Sequence, residues 1–139
     1  MSVRTFCLVF LVLLASFGAV ACSDSDPMRF NMEGRYLLNM QVDDSNCAWD
    51  LLTGEMVVEQ DGEDILVGIV GRTEMNPGEA NPLSGTFTVT WTDNQGVTQT
   101  LQGSSRGFEA LSGDYNATRP DSQQLDGCFL IADWSAQRL

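Results

Sequence analysis

Residues 85–91 read Gly-Thr-Phe-Thr-Val-Thr-Trp. In an extended chain Phe87, Val89 and Trp91 fall on one face, and Thr86, Thr88 and Thr90 on the other. A period of two does not fit a helix; it asks for a sheet with one covered face. The same signature recurs along the chain. Tyr36, Leu38, Met40 and Val42 alternate with Arg35, Asn39 and Gln41, with Leu37 as the single lapse. Residues 97–102 return with the alternation of 85–91 after a turn at 92–96. Cys128, Leu130, Ala132, Trp134 and Ala136 share one side of a last strand.

Between these runs the turn chemistry is explicit. Asp61-Gly62 joins the runs 55–60 and 65–70, a strong hairpin signal. Residues 103–107 read as a turn, and 108–118 as a strand bent or bulged at Gly113. Residues 47–52 read as a second strand carrying Trp49, and 119–127 as a polar loop. Arg72 to Ser84, with Pro77, Gly78 and Pro82, reads as the longest irregular stretch. A loop of that length points to a mobile or functional segment. No segment has a helical period of useful length. The expected fold is all-β, an antiparallel up-and-down meander of seven or eight strands, closed as a barrel or packed as a sandwich. Closure would remove exposed edges.

The first 21 residues have a different character. Arg4 precedes an apolar run, Cys7 to Phe17, and small residues lead to Ala19-Val20-Ala21. These are the three parts of a secretory signal, and the run is too short for a bilayer, which needs about 20 residues. Ala19-Val20-Ala21-Cys22 also resembles the lipobox of bacterial lipoproteins, although that family prefers Leu where Ala19 stands. The resemblance implies removal of 1–21, a lipid (palmitate) on Cys22, and a tether over 22–33 leading to a domain over 34–139. It implies export to the cell envelope on a membrane anchor, at the outer membrane if the host is Gram-negative. The alternative is plain cleavage and secretion.

The mature chain would carry six Arg against nineteen acids, a net charge of −13. That argues against nucleic acid, which needs a basic patch. It also argues against electrostatic adhesion to anionic lipid, so membrane contact would come from the acyl anchor. The chain has no His and no Lys. Ser-His-Asp and Cys-His catalysis are therefore impossible, and the commonest metal ligand is missing. Cys22, Cys47 and Cys128 would remain after cleavage, an odd number in an oxidising compartment. Acylation of Cys22 leaves Cys47 and Cys128 as one pair. Bonded, they close a loop of roughly 80 residues, worth up to ~4 kcal/mol. Two unpaired buried thiols are the other reading.

Gly34-Arg35-Tyr36 opens the first strand, and Trp134-Ser135-Ala136-Gln137-Arg138 closes the last. This resembles the lipocalin-like and avidin-like (calycin-type) barrels, whose first strand opens Gly-x-Trp and in which, for lipocalins, a late Arg lies against that Trp. Here Tyr36 replaces the Trp, Arg138 is the matching Arg, and the lipocalin Thr-Asp-Tyr motif is absent. The resemblance implies a barrel and a structural role for Tyr36 and Arg138. A cation over the Tyr36 ring is chemically sensible.

Asp43-Asp44 and Asp61-Gly62-Glu63-Asp64 lack the spacing of a calcium loop, and no metal or cofactor is expected. No carboxylate pair is singled out for glycoside hydrolysis, and an enzyme is not expected. Asn116-Ala117-Thr118 is a formal glycosylation sequon without further support. The aromatic residues Trp49, Phe87, Trp91, Tyr115 and Trp134 either line a cavity or form the core, since an eight-stranded barrel is just wide enough for either. Phe87, Trp91 and Tyr115 are the candidate ligand contacts. Two functions follow. The first is a lipid-anchored barrel that binds a small apolar or amphipathic ligand in an aromatic-lined cavity of roughly 300 Å³ or more. The second is an envelope interaction or accessory module with a filled interior.

Overall fold

The computed structural model describes residues 29–46, 51–120 and 127–139. It has eight strands: β1 (Gly34–Ser45), β2 (Gly54–Asp61), β3 (Asp64–Ile69), β4 (Asn76–Asn81), β5 (Thr86–Thr92), β6 (Thr98–Ser105), β7 (Ala110–Arg119) and β8 (Cys128–Arg138). They follow one another in chain order around a closed barrel, with β8 paired back onto β1. Every neighbouring pair is antiparallel. The architecture is compatible with the calycin-type fold.

The period-two pattern sets which side chains face inward. On β8, Cys128, Leu130, Ala132, Trp134 and Ala136 are buried. On β5, Phe87 and Val89 are buried while Thr86, Thr88 and Thr90 face solvent. The threonines do not stand idle outside. Thr90 and Thr92 share hydroxyl hydrogen bonds with Thr100 and Thr98 of β6, each at 3.1 Å, the cross-strand pairing that supports a sheet face. The β2–β3 hairpin turns on Gly62, at φ 64°, with no positive φ at Glu63. A left-handed residue at the first central position alone is the type II′ pattern, whose twist matches the flanking strands.

The long irregular stretch expected over 72–84 is corrected: it contains β4. Asn-Pro-Gly-Glu-Ala-Asn has little strand propensity, and Ala80 is its one buried residue. Pairing on both sides overrides propensity here. Pro77 lies opposite Leu66 of β3, and the ladder to β5 begins only at Gly78, so the missing proline N–H falls where β4 has a single neighbour. A Cβ at Gly78 would sit 2.3 Å from the Thr88 carbonyl oxygen; the glycine allows β4 and β5 to approach.

Three smaller expectations also change. The register runs unbroken through Gly113, so there is no bulge there; the irregularity is in β1, between Val42 and Asp44. The turn expected from Gly103 starts later, because β6 continues to Ser105. Of the strand expected over 47–52, residues 47–50 lie outside the described residues, and Leu51 and Leu52 are not in a strand.

Gly103 pairs with Gly113, and Gly113 with Trp134. A Cβ on Gly103 would lie 2.4 Å from the Trp134 ring, and one on Gly113 would lie 2.0 Å from the Gln102 carbonyl oxygen. The second obstacle is backbone and cannot swing aside. Gly113→Ala is therefore expected to destabilise the barrel by about 2–3 kcal/mol or more, read as a lowered urea midpoint. Ser112→Ala beside it should change that midpoint by less than about 0.5 kcal/mol equivalent.

Candidate functional site

The aromatic residues singled out by the sequence come to three separate places. Phe87 points into the barrel, 3% exposed, and packs on Trp134 with ring centroids 5.9 Å apart at 55°. This tilted contact is favourable between two quadrupoles. The indole N–H of Trp134 donates to the carbonyls of Gln102 at 3.0 Å and Asp114 at 3.2 Å. The ring thus spans β8 to β6 over Gly103 and fills the space that this glycine leaves.

Tyr115 is buried on β7 and donates its hydroxyl to Gln99 Oε1 at 2.7 Å. Gln99 Nε2 in turn donates to Asp93 Oδ2 at 3.3 Å. Asp93 Oδ1 accepts from the backbone N–H groups of Gln95 and Val97, which holds the β5–β6 turn. Burial, and then the Asp93 charge, push the Tyr115 phenol well above its ordinary range. Trp91, near the same turn, is partly buried against the core.

Tyr36 and Arg138 meet at the other end. The Tyr36 hydroxyl donates to the Met32 carbonyl at 2.8 Å and accepts from Arg138 Nη2 at 2.8 Å. The guanidinium carbon lies 5.2 Å from the ring centroid, within cation–π reach. Tyr36 and Arg138 are paired across the β1–β8 seam, so the contact fastens the closure. Met32, 1% exposed, plugs the barrel beneath it. Outside the wall, Arg35 pairs with Glu55, which lowers the carboxyl pKa through their hydrogen bond.

Two depressions mark the wall. One of about 380 Å³ is lined by Thr86, Thr88, Gln102, Ser104, Ser112 and Asp114, with Phe87 and the two glycines at its floor. A second, of about 240 Å³, adjoins it at Glu79 and Asn81. Both are open to solvent, and their rims are mostly polar residues of outward-facing positions. Phe87 is the sole aromatic residue in either lining. Among the described residues, no group of three or more His, Cys, Asp or Glu is placed to hold a metal ion.

Cys22, Cys47 and Trp49 lie outside the described residues. Cys128, at the head of β8, is disulfide-bonded; the other cysteines, Cys7, Cys22 and Cys47, are all outside that set. Sequence reasoning missed the Asp93–Gln99–Tyr115 chain. Its signal was Gln99, a polar residue on the apolar face shared by Val97 and Leu101. It also missed Gly103, whose role appears only once β6, β7 and β8 are aligned.

No protein family, curated protein or solved structure matches this chain.

The chain has no Lys and two Tyr, so few groups titrate in mild alkali. A tyrosine whose folded pKa is raised stabilises fully below its unfolded value, about 10, and that stability is lost as pH rises toward the folded value. Unfolding free energy of the wild type should therefore fall more steeply between about pH 9 and about pH 11 than that of Tyr115→Phe. Urea titrations at several pH values check this; equal slopes would remove the effect.

Proposed function

We propose that the mature chain is a lipid-anchored envelope module that works through its outer surface, with a barrel interior spent on its own core. One observation carries this reading. The side chains that a ligand pocket would need are already engaged inside: Phe87 on Trp134 and Tyr115 on Gln99, with Tyr36 held by Arg138 at the seam. Inward positions from Leu38 to Leu130 are almost fully covered. The depressions on the wall have little apolar aromatic surface to offer a hydrophobic ligand. The module is non-enzymatic in this reading, since no His is available as a base.

The anchor rests on the resemblance of Ala19-Val20-Ala21-Cys22 to a lipobox and on cysteine accounting. The register adds support for the second part. Ser45 lies opposite Leu130. Asn46 N–H donates to the Phe129 carbonyl at 3.2 Å, and Phe129 N–H donates to Asn46 Oδ1 at 2.7 Å. In the chain Cys47 follows Asn46 directly, and Cys128 directly precedes Phe129. With Cys47 and Cys128 joined, Cys22 is the cysteine left for acylation.

Mass spectrometry of the intact mature chain, purified from a bacterial host, tests both parts. The expected result is an acyl increment on the peptide that begins at Cys22, a Cys47–Cys128 linkage without reduction, and no co-purified apolar small molecule. Cys22→Ser should move the protein from the membrane fraction to the soluble exported fraction. An unmodified Cys22 would sink the anchor, and a stoichiometric apolar ligand would sink the filled interior.

A further inference from the structure

The eight strands expose two ends of the barrel. One end carries the β2–β3 turn, the β4–β5 turn, the β6–β7 turn and Leu139. Leu83, Phe108 and Leu139 project there, 60%, 68% and 69% exposed, the highest values among the exposed large apolar residues. A single exposed leucine means little, but these three follow one another around the rim. Ser105 N–H donates to the Gly85 carbonyl at 2.7 Å, tying the strand before Phe108 to the turn that holds Leu83. Arg138 N–H donates to the Glu109 carbonyl at 2.7 Å, tying the turn of Phe108 to the strand before Leu139. The acidic turn with Asp61, Glu63 and Asp64 occupies the remaining part of that rim.

The N-terminal segment arrives at this apolar arc. Phe30 N–H donates to the Pro82 carbonyl at 2.7 Å, and its ring covers Gly85, where a Cβ would come within 2.9 Å of it. Gln60 fixes the same segment, accepting from Met32 N–H at 2.8 Å. Seven residue steps separate Cys22 from Arg29, a reach of at most about 25 Å.

We propose that the rim bearing Leu83, Phe108 and Leu139 rests on a lipid bilayer, with its apolar tips entering the headgroup region. The proposal builds on the reading of Cys22 as an acyl anchor. An acyl group on Cys22 holds this end, and not the opposite one, within a tether's length of the lipid. Apolar side chains at loop tips then add contact at the acyl boundary, where Phe and Leu partition favourably. The acidic part of the rim tilts away, so the partner is a zwitterionic surface and the contact is insensitive to salt. The opposite end, with the 93–97 turn, is left facing outward for partners.

The test uses the mature chain in phosphatidylcholine vesicles whose acyl chains carry bromine near the headgroup. Phe108→Trp places a fluorophore on the rim, and Val70→Trp, at another exposed position at the far end, is the control. Above the wild-type signal, the added fluorescence of Phe108→Trp should fall by about twofold, while that of Val70→Trp should not change. Equal quenching in the two variants, or none at 108, overturns the proposal. The mass of each sample reports acylation independently. If Cys22 is unmodified, the same pair is measured with vesicles in excess, and absence of quenching at 108 again overturns it.

Discussion

The indole of Trp134 settles how the barrel is filled. Eight strands enclose a space that side chains can just occupy, and this ring takes a large share of it. It lies against Phe87, crosses over Gly103, and returns its N–H to carbonyls of Gln102 and Asp114. Two glycines make this possible: a methyl on Gly103 would strike the indole, and one on Gly113 the backbone of β6. Burying a group of this size contributes on the order of 2–3 kcal/mol, and satisfying its N–H avoids the cost of a buried donor without a partner. Small inward residues, Ala117, Ala132 and Ala136, surround the large ones. Volume is shared between neighbours rather than left open.

Closure follows from the same logic at the seam. β1 and β8 are the two longest strands, and they pair over nearly their whole length. Tyr36 and Arg138 sit at one end of that pairing, with Met32 below. Asn46 and Phe129 sit at the other, one residue short of the two cysteines. The seam is fastened at both ends of a sheet that has no free edge, and the backbone groups that would invite another strand are used internally. The surface left open to solvent is the outside wall and the loops.

Much of this was legible in the residues, for a physical reason. Where a strand has one wet face, polar residues alternate with apolar ones, and β5 could be read directly; on β8 the inward face from Cys128 to Ala136 was legible although Phe129 and Ile131 stand on the other. The hairpin at Asp61-Gly62 was legible because only a left-handed residue fits the tight turn. β4 was not legible, because Pro77 and Gly78 are chosen for a missing ladder bond and a close approach, both properties of its neighbours. Gly113 reads as a bend from sequence; in the barrel it makes room for the backbone of β6. Phe87 and Tyr115 were read as candidate ligand contacts; both are buried, and alternation cannot tell a cavity wall from a core. That distinction depends on what the opposite wall offers, and Trp134 and Gln99 supply it. Trp91 is intermediate and packs at the margin of the core.

The central claim is that Phe87 belongs to a packed core and not to the wall of a ligand pocket. Equilibrium urea unfolding of Phe87→Ala measures this most directly. A packed core predicts a loss of about 3–5 kcal/mol, from lost transfer energy and the cavity left against Trp134. A loss below about 1 kcal/mol, with the barrel retained, would mean that the ring faced space already open, and the filled interior would be contradicted.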